Sequence, residues 1–97
     1  MDAQLLNPTT LSAKGHPQPT DEPFEPADEA LLVEIPANMQ AILREDLALG
    51  AAWRRHTRAL FESLFETGYQ VTDLIYERDL SPPRSFYYLE KMGDREP

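Results

Sequence analysis

The chain has 97 residues, and its 17 acidic side chains against nine lysines and arginines give a formal net charge of -8 at pH 7. This charge opposes binding to nucleic acid and to anionic membranes, because both are themselves negatively charged. The sequence contains no cysteine and only two histidines, which excludes a disulfide framework and a thiolate metal site.

The N-terminal stretch differs in composition from the rest of the chain. Residues 1–30 contain five of the nine prolines and six acidic residues, with Lys14 as the single base. This composition predicts an extended, proline-rich arm. A stiff extended segment loses little entropy on docking, so a few large apolar side chains could fix the arm to a surface; a mobile tail is the alternative. These side chains are Leu5, Leu6, Leu11 and Phe24.

The next stretch, LLVEI at residues 31–35, predicts the first strand of a sheet. It is apolar and rich in β-branched residues, and it ends at Pro36, which cannot donate a hydrogen bond to a sheet ladder. A short helix over residues 39–44 is expected to follow, with Asn38 as its N-cap.

Residues 46–69 predict the main helix, because no other stretch is long and periodic enough to bury a continuous apolar face. Asp46 is the expected N-cap, and Gly68 is the expected C-terminal stop. The core positions of this helix recur at three- and four-residue steps and are Trp53, Leu60, Phe61 and Leu64. The opposite, charged side carries Arg54, Arg55, Arg58, Glu62 and Glu66.

The last part of the chain predicts a β-hairpin. After Gly68 the apolar period changes from about 3.6 to about 2, which indicates a second strand over residues 69–77 with Val71, Asp73 and Ile75 on one face. Adjacent prolines at 82 and 83 indicate a loop over residues 78–84, and an aromatic third strand over residues 85–91 follows.

This order of elements predicts an α+β fold. A three-stranded mixed sheet is expected, built from one strand, a short helix, a long helix and a β-hairpin. The predicted division is the arm over residues 1–30, the α+β domain over residues 31–92 and a frayed tail over residues 93–97. So small a unit buries only about 60% of its unfolded surface, and an unpaired edge on the first strand would invite pairing with another chain. We therefore expect a homo-oligomer or a partner domain that supplies further strands.

The run WRRHTR at residues 53–58 holds the strongest candidates for ligand binding. Arg54 and Arg58 lie one helical turn apart and could hold an anion such as a phosphate or a carboxylate. A solvated helix face is the alternative, because Glu62 is placed to neutralise Arg58. Tyr87 is a further candidate, as a proton donor near a reacting amine, although aromatic residues in strands usually serve packing. His56 has no second metal ligand at a suitable spacing, so no metal site is predicted and the catalytic residues stay unassigned.

The chain from residue 33 to residue 79, followed by RSFYYLE, carries several features of one known group. These are Ile35 followed by Pro36, the WRxxTR run, the GYxVxD step at residues 68–73 and a terminal strand ending in YYLE. On these features the sequence resembles the C-terminal end of predicted GNAT superfamily acyl-CoA N-acyltransferases. An Asn7-Pro8 pair and a G-x-P-x-P run at residues 15–19 also match the segment that precedes this end in the group.

The resemblance implies a position in a larger fold. Residues 31–35 would be the fifth strand of a GNAT fold, the long helix its fourth helix, and the last two strands its sixth and seventh. The pyrophosphate of acetyl-CoA is held in this family by a Q/R-x-x-G-x-G/A turn at a helix N-terminus, and no segment of this chain fits that turn. We therefore expect no cofactor on the chain alone, an inactive isolated chain, and acetyl-CoA bound only in a complete assembly.

Two functions are thus expected from the sequence. The first is a GNAT-like acyltransferase C-terminal domain that completes its fold by self-association or with a partner. The second is a small non-catalytic module that binds an anionic metabolite or a protein partner. No apolar run approaches the roughly 20 residues that span a bilayer, and the N-terminus lacks the features of a signal peptide, so a cytoplasmic location without membrane or nucleic-acid binding is expected.

Overall fold

A mixed β-sheet packed against one long helix forms the body of the protein. The computed structural model describes residues 3–20, 25–80 and 83–92. The strands are β1 (Gln4–Leu5), β2 (Thr9–Leu11), β3 (Pro17–Pro19), β4 (Ala30–Ile35), β5 (Tyr69–Glu77) and β6 (Arg84–Lys91). The helices are α1 (Met39–Glu45) and α2 (Leu47–Glu66).

The main sheet has the strand order β1-β4-β6-β5. Strand β6 lies between β4 and β5 and is antiparallel to both, so β4 and β5 run in the same direction without touching. Strand β1 pairs in parallel with β4. The expected α+β fold with a mixed sheet is confirmed, but the expected number of three strands is wrong. The fourth strand is β1, which belongs to the arm. The composition of the arm predicted an extended segment and no strand of the sheet.

A β-bulge changes the faces of β5. The register shifts between Val71 and Asp73, and beyond the shift Leu74 pairs with Tyr87 while Val71 pairs with Leu89. Residues opposite each other in a ladder share a face, so Val71 lies on the same face as Leu74. The prediction that Val71 shares a face with Asp73 is therefore wrong, because strict alternation does not hold across an inserted residue.

Side-chain caps define where both helices begin. The Asn38 side chain accepts a hydrogen bond from the Ala41 amide at 3.0 Å, and the Asp46 side chain accepts one from the Leu49 amide at 3.1 Å. After α2 the chain turns at Gly68, whose φ of 99° lies in the left-handed region that side chains disfavour. Both N-caps and the stop lie where the sequence predicted them.

The apolar side chains form two clusters on either side of α2's midpoint. Trp53, Leu60 and Leu64 have no exposed surface, and Phe61 packs against the larger cluster from a half-buried position. The larger cluster joins helix and sheet and consists of Leu6, Leu31, Val33, Leu60, Leu64, Tyr69 and Leu89. The smaller cluster joins α1 and α2 and consists of Ile42, Leu49 and Trp53.

The arm packs on the domain through few of the side chains proposed for that role. Leu6 is buried in the larger cluster, whereas Leu5 is 36% exposed and Leu11 is 60% exposed. Phe24 lies outside the described residues. Strands β2 and β3 pair antiparallel as a small hairpin, and the Trp53 indole N–H donates to the Pro17 carbonyl at 2.8 Å. The hairpin therefore packs against the N-terminal half of α2.

The arm also changes which sheet edge is open. Strand β1 pairs with Leu31 and Leu32, and the Leu6 amide donates to the Leu32 carbonyl at 2.9 Å. The expectation of an exposed edge on the first strand is thus wrong, because the arm covers it. In the part of the chain that the structure describes, the outer edge of β5 is the long edge without a strand partner.

Candidate functional site

Strand β4 carries a fully buried carboxylate. Glu34 is 1% exposed, and its two oxygens accept hydrogen bonds from Arg84, Nε to Oε2 at 3.0 Å and Nη2 to Oε1 at 2.7 Å. The Thr9 hydroxyl donates to Oε1 at 2.9 Å. Burying a charge without a partner is costly, and this bidentate contact supplies the partner. The hydrogen bond to Glu34 raises the pKa of Arg84, so the guanidinium stays charged.

A cavity of about 360 Å³ opens above this ion pair. It lies between the β2–β3 hairpin and the start of β6. We call it the Arg84 cavity, and its lining includes Thr10, Leu11, Glu34, Leu80, Pro83 and Arg84. Its floor is polar and its walls are mostly apolar, which is the usual composition of a small-molecule site.

Arg84 is held in a fixed orientation with part of its donor capacity unused. A guanidinium has five N–H donors in a planar fork, and Glu34 accepts from one on Nε and one on Nη2. Among the described residues, no group accepts a hydrogen bond from Nη1. The side chain of Arg84 is 38% exposed, and the guanidinium lies 5.1 Å from the centre of the Phe86 ring. The open end of the fork is therefore available to a ligand.

Asn7 connects the same strand to the long helix. Its side-chain oxygen accepts from the Glu34 backbone amide at 2.7 Å, and its Nδ2 donates to the Glu34 carbonyl at 2.9 Å. Nδ2 also lies 3.1 Å from Nε2 of His56. Because the Glu34 amide can only donate, the orientation of the Asn7 side chain is settled, and Nε2 must be an acceptor. His56 is thereby assigned as neutral with its proton on Nδ1, and burial lowers its pKa in agreement.

A second cavity of about 350 Å³ lies beside His56. Gln18 and Thr20 of the arm line one side, and Arg55 and His56 of α2 line the other. The Trp53 ring contacts the His56 ring edge-on, with 5.5 Å between the centres. His56 therefore does have an orienting partner, Asn7, which the sequence alone did not identify.

The structure does not bring the sequence-based ligand candidates together. Arg54 and Arg58 are exposed on α2, and Arg58 Nε lies 3.4 Å from Oε2 of Glu62. Tyr87 is half-buried and packs edge-on against Phe61, with ring centres 5.5 Å apart. None of the three side chains lines either cavity described above.

Sequence reasoning missed Asn7, Glu34 and Arg84 as members of one site. Glu34 and Arg84 are 50 positions apart, and Asn7 is 27 positions from Glu34. One signal was available, because a glutamate inside the apolar run LLVEI needs a cationic partner if the strand is buried. The sequence did not indicate which of the arginines would supply it.

Comparison with protein-family models, with curated proteins and with solved structures found no match in any of the three. Within the described ranges, no helix is both long and apolar enough to cross a membrane. The same residues contain no group of three or more histidine, aspartate or glutamate side chains placed to hold a metal ion.

Proposed function

We propose that this chain is the acceptor-side part of a GNAT-like acyl-CoA N-acyltransferase that becomes active only in an assembly. The observation that supports this proposal is the order of β4, α2, β5 and β6, which is the order of strand, helix, strand and strand that the resemblance implies. The parallel course of β4 and β5 with α2 between them in sequence adds to this support. Such an arrangement supplies a sheet and a bracing helix.

The helix N-termini support a cofactor site outside this chain. A pyrophosphate needs free backbone amides at a helix N-terminus. In α1 and α2 the side chains of Asn38 and Asp46 each accept from one of these amides, and the Asp46 carboxylate would repel a phosphate. Acetyl-CoA would therefore be held by a second copy or by a partner domain.

The outer edge of β5 is the place where that partner would pair. Unpaired amides and carbonyls on an edge strand can extend a sheet into another chain. Next to this edge the β5 patch, defined as Phe65, Val71, Leu74 and Tyr76, exposes between 41% and 57% of each side chain. Phe65 stacks on Phe61, and Phe61 packs on Tyr87, the ladder partner of Leu74. The patch thus continues from the helix to the open edge.

Sedimentation velocity of the full chain with Leu74→Lys tests this assembly. We expect the wild-type chain to associate at micromolar concentration and the variant to sediment as a monomer, because a lysine in the patch opposes burial. The matched control is Leu47→Lys, since Leu47 is 71% exposed at the start of α2, outside the β5 patch. A wild-type chain that is a stably folded monomer at micromolar concentration contradicts the proposal.

The acyltransferase part of the proposal has its own measurement. Calorimetric titration of acetyl-CoA into the assembled species should release heat, and the monomeric Leu74→Lys variant should release none. If the chain assembles but does not bind acetyl-CoA, the acyltransferase part of the proposal is rejected. The chain would then be a module that only extends a sheet.

A non-catalytic module that binds an anionic metabolite is the second candidate function. It is favoured by three exposed arginines, Arg54, Arg55 and Arg58, on one helix of a chain with a net charge of -8. The side chains of Arg58 and Glu62 form an ion pair but are 81% and 68% exposed. Such exposed ion pairs contribute little to stability, so Glu62 does not hold Arg58 firmly. Titration with inorganic phosphate and acetyl-CoA tests this function, and binding that survives Arg54→Ala and Arg58→Ala together would contradict it.

A further inference from the structure

We infer that the Arg84 cavity binds a small uncharged carbonyl compound with an apolar body, such as an amide or an ester. This inference concerns a site that the proposed acyltransferase function does not use. It is independent of acyl transfer and of assembly. It rests on the donors, the charge balance and the walls of the cavity.

The donors come from the open end of the Arg84 guanidinium. Glu34 binds the side edge of the fork through Nε and Nη2. The end edge keeps one hydrogen of Nη1 and one of Nη2, and the second hydrogen of Nη1 lies on the side away from Glu34. All three point in fixed directions once the side edge is bound. Hydrogen bonds from a charged donor are shorter and about twice as strong as those between neutral groups. A carbonyl oxygen is an acceptor that fits this end.

The charge balance favours a neutral acceptor over an anion. Glu34 already neutralises Arg84, with a closest approach of 2.7 Å, so the pair as a whole carries no net charge. A second carboxylate at the same guanidinium would bring two like charges together in a cavity of a protein with a net charge of -8. An amide or ester oxygen gains the same donors without this repulsion. A cationic ligand at the open end of the fork would place its donors against the donors of Arg84.

The walls supply the contact for an apolar body. Leu11 is 60% exposed and Leu80 is 43% exposed, and both line the cavity with Pro83 and Pro17. An apolar ligand would remove part of these side chains from water, which is favourable at about 25 cal/mol per Å². The volume of about 360 Å³ lies at the lower end of the range for small-molecule pockets.

Arg84 is also preorganised, so little conformational entropy is lost from its side chain when a ligand binds. Its side chain is fixed by two hydrogen bonds to Glu34 and by contact with the Phe86 ring at 5.1 Å. The Thr9 hydroxyl fixes Glu34 in turn. Ordering a free arginine on binding reduces the affinity, whereas the Arg84 side chain is already ordered in the folded protein before a ligand binds.

The probes are benzamide, benzoate and benzylamine, which share one ring and differ in the charge of the polar group. Backbone NMR shifts of the full chain are followed during each titration at millimolar concentration. We expect benzamide to shift the resonances of Thr10, Leu11, Leu80 and Arg84, and to bind at least threefold more tightly than benzoate. Tighter binding of benzoate or of benzylamine, or no shift at these residues with benzamide, overturns the inference.

Two variants and one control locate the binding. Arg84→Lys keeps a cation beside Glu34 but lacks the fork, so benzamide affinity should fall about tenfold. Leu80→Ser removes an exposed wall residue and should weaken benzamide about threefold without loss of folding. Leu47→Ser is the control, because Leu47 is also exposed and does not line the cavity. Unchanged affinity in Leu80→Ser, or an equal loss in Leu47→Ser, overturns the inference even if Arg84→Lys fails to fold.

Discussion

The side-chain amide of Asn7 binds the backbone of Glu34 as a neighbouring strand would. Its oxygen lies 2.7 Å from the Glu34 amide nitrogen, and its nitrogen lies 2.9 Å from the Glu34 carbonyl oxygen. Strand β1 ends at Leu5, so this side chain continues the edge of the sheet beyond the last residue of β1. The strand that carries the buried carboxylate is thereby fixed on the arm side as well as on the β6 side.

Asn7→Ala should lower the free energy of unfolding by about 2–4 kcal/mol, because it leaves a buried amide and a buried carbonyl of Glu34 without partners. Asn7 itself is only 4% exposed, so water cannot easily replace it. Urea denaturation measures the change. Gln70→Ala, at an exposed position of β5, is the control and should stay within about 0.5 kcal/mol of the wild type. A loss in Asn7→Ala no larger than in the control would contradict the strand-like role.

The Glu34 and Arg84 pair should show strong coupling in a double-mutant cycle. Arg84→Met leaves a charge buried without a partner and should cost about 3–5 kcal/mol. Glu34→Leu combined with Arg84→Met removes both charges and should cost clearly less than the sum of the single changes. Equilibrium denaturation of the four proteins gives the coupling energy. Additive losses would show that the two side chains do not interact in solution.

Stability should fall at acid pH because of His56. Burial lowers the pKa of His56 below its ordinary value of 6.5, so between these two pKa values the unfolded chain binds more protons than the folded chain. Stability therefore rises with pH through this window and levels off above about 6.5. Protonation would also place a donor against the Asn7 nitrogen, which lies 3.1 Å from Nε2.

Thermal unfolding between about pH 5 and pH 8 measures this dependence. In His56→Gln the side-chain oxygen can still accept from Asn7 but does not titrate, so the slope of melting temperature against pH should decrease. His16→Gln, which removes the other histidine, is the comparison. An imidazole of His56 that titrates above pH 6.5 by NMR would contradict the assignment.

Local signals predicted most of the fold. The caps Asn38 and Asp46 and the stop at Gly68 depend on neighbouring residues only, and each has the predicted role. Strand β1 could not be predicted in this way, because a two-residue strand has no period of its own and pairs across 27 positions. The bulge after Val71 was missed because an inserted residue leaves no mark in an apolar pattern.

The candidate site was harder to predict than the fold for the same reason. Its members belong to the arm, to β4 and to β6, and they meet only when the sheet has formed. The dense run of arginines on α2 favoured Arg54 and Arg58 as ligand-binding residues, but both lie on the exposed face of the helix. Arg84, which stands alone in sequence, lies at the buried glutamate and lines the cavity.

Trp53 should control how firmly the β2–β3 hairpin is held on α2. Its indole N–H donates to the Pro17 carbonyl at 2.8 Å, and its ring is completely buried with Ile42 and Leu49. Trp53→Phe removes the donor and part of the packing, so we expect a loss of about 2 kcal/mol. Amide exchange of Ser12, which donates to the His16 carbonyl in the hairpin, should become faster because the hairpin opens locally.

Leu64→Ala separates this effect from general destabilisation. Leu64 belongs to the other apolar cluster, and its truncation should cost about 2–5 kcal/mol without releasing the hairpin. Ser12 should therefore exchange at the wild-type rate in Leu64→Ala and faster in Trp53→Phe. Equal exchange rates of Ser12 in the two variants would mean that the hairpin opens only when the whole domain unfolds, and that the contact between Trp53 and Pro17 does not hold it.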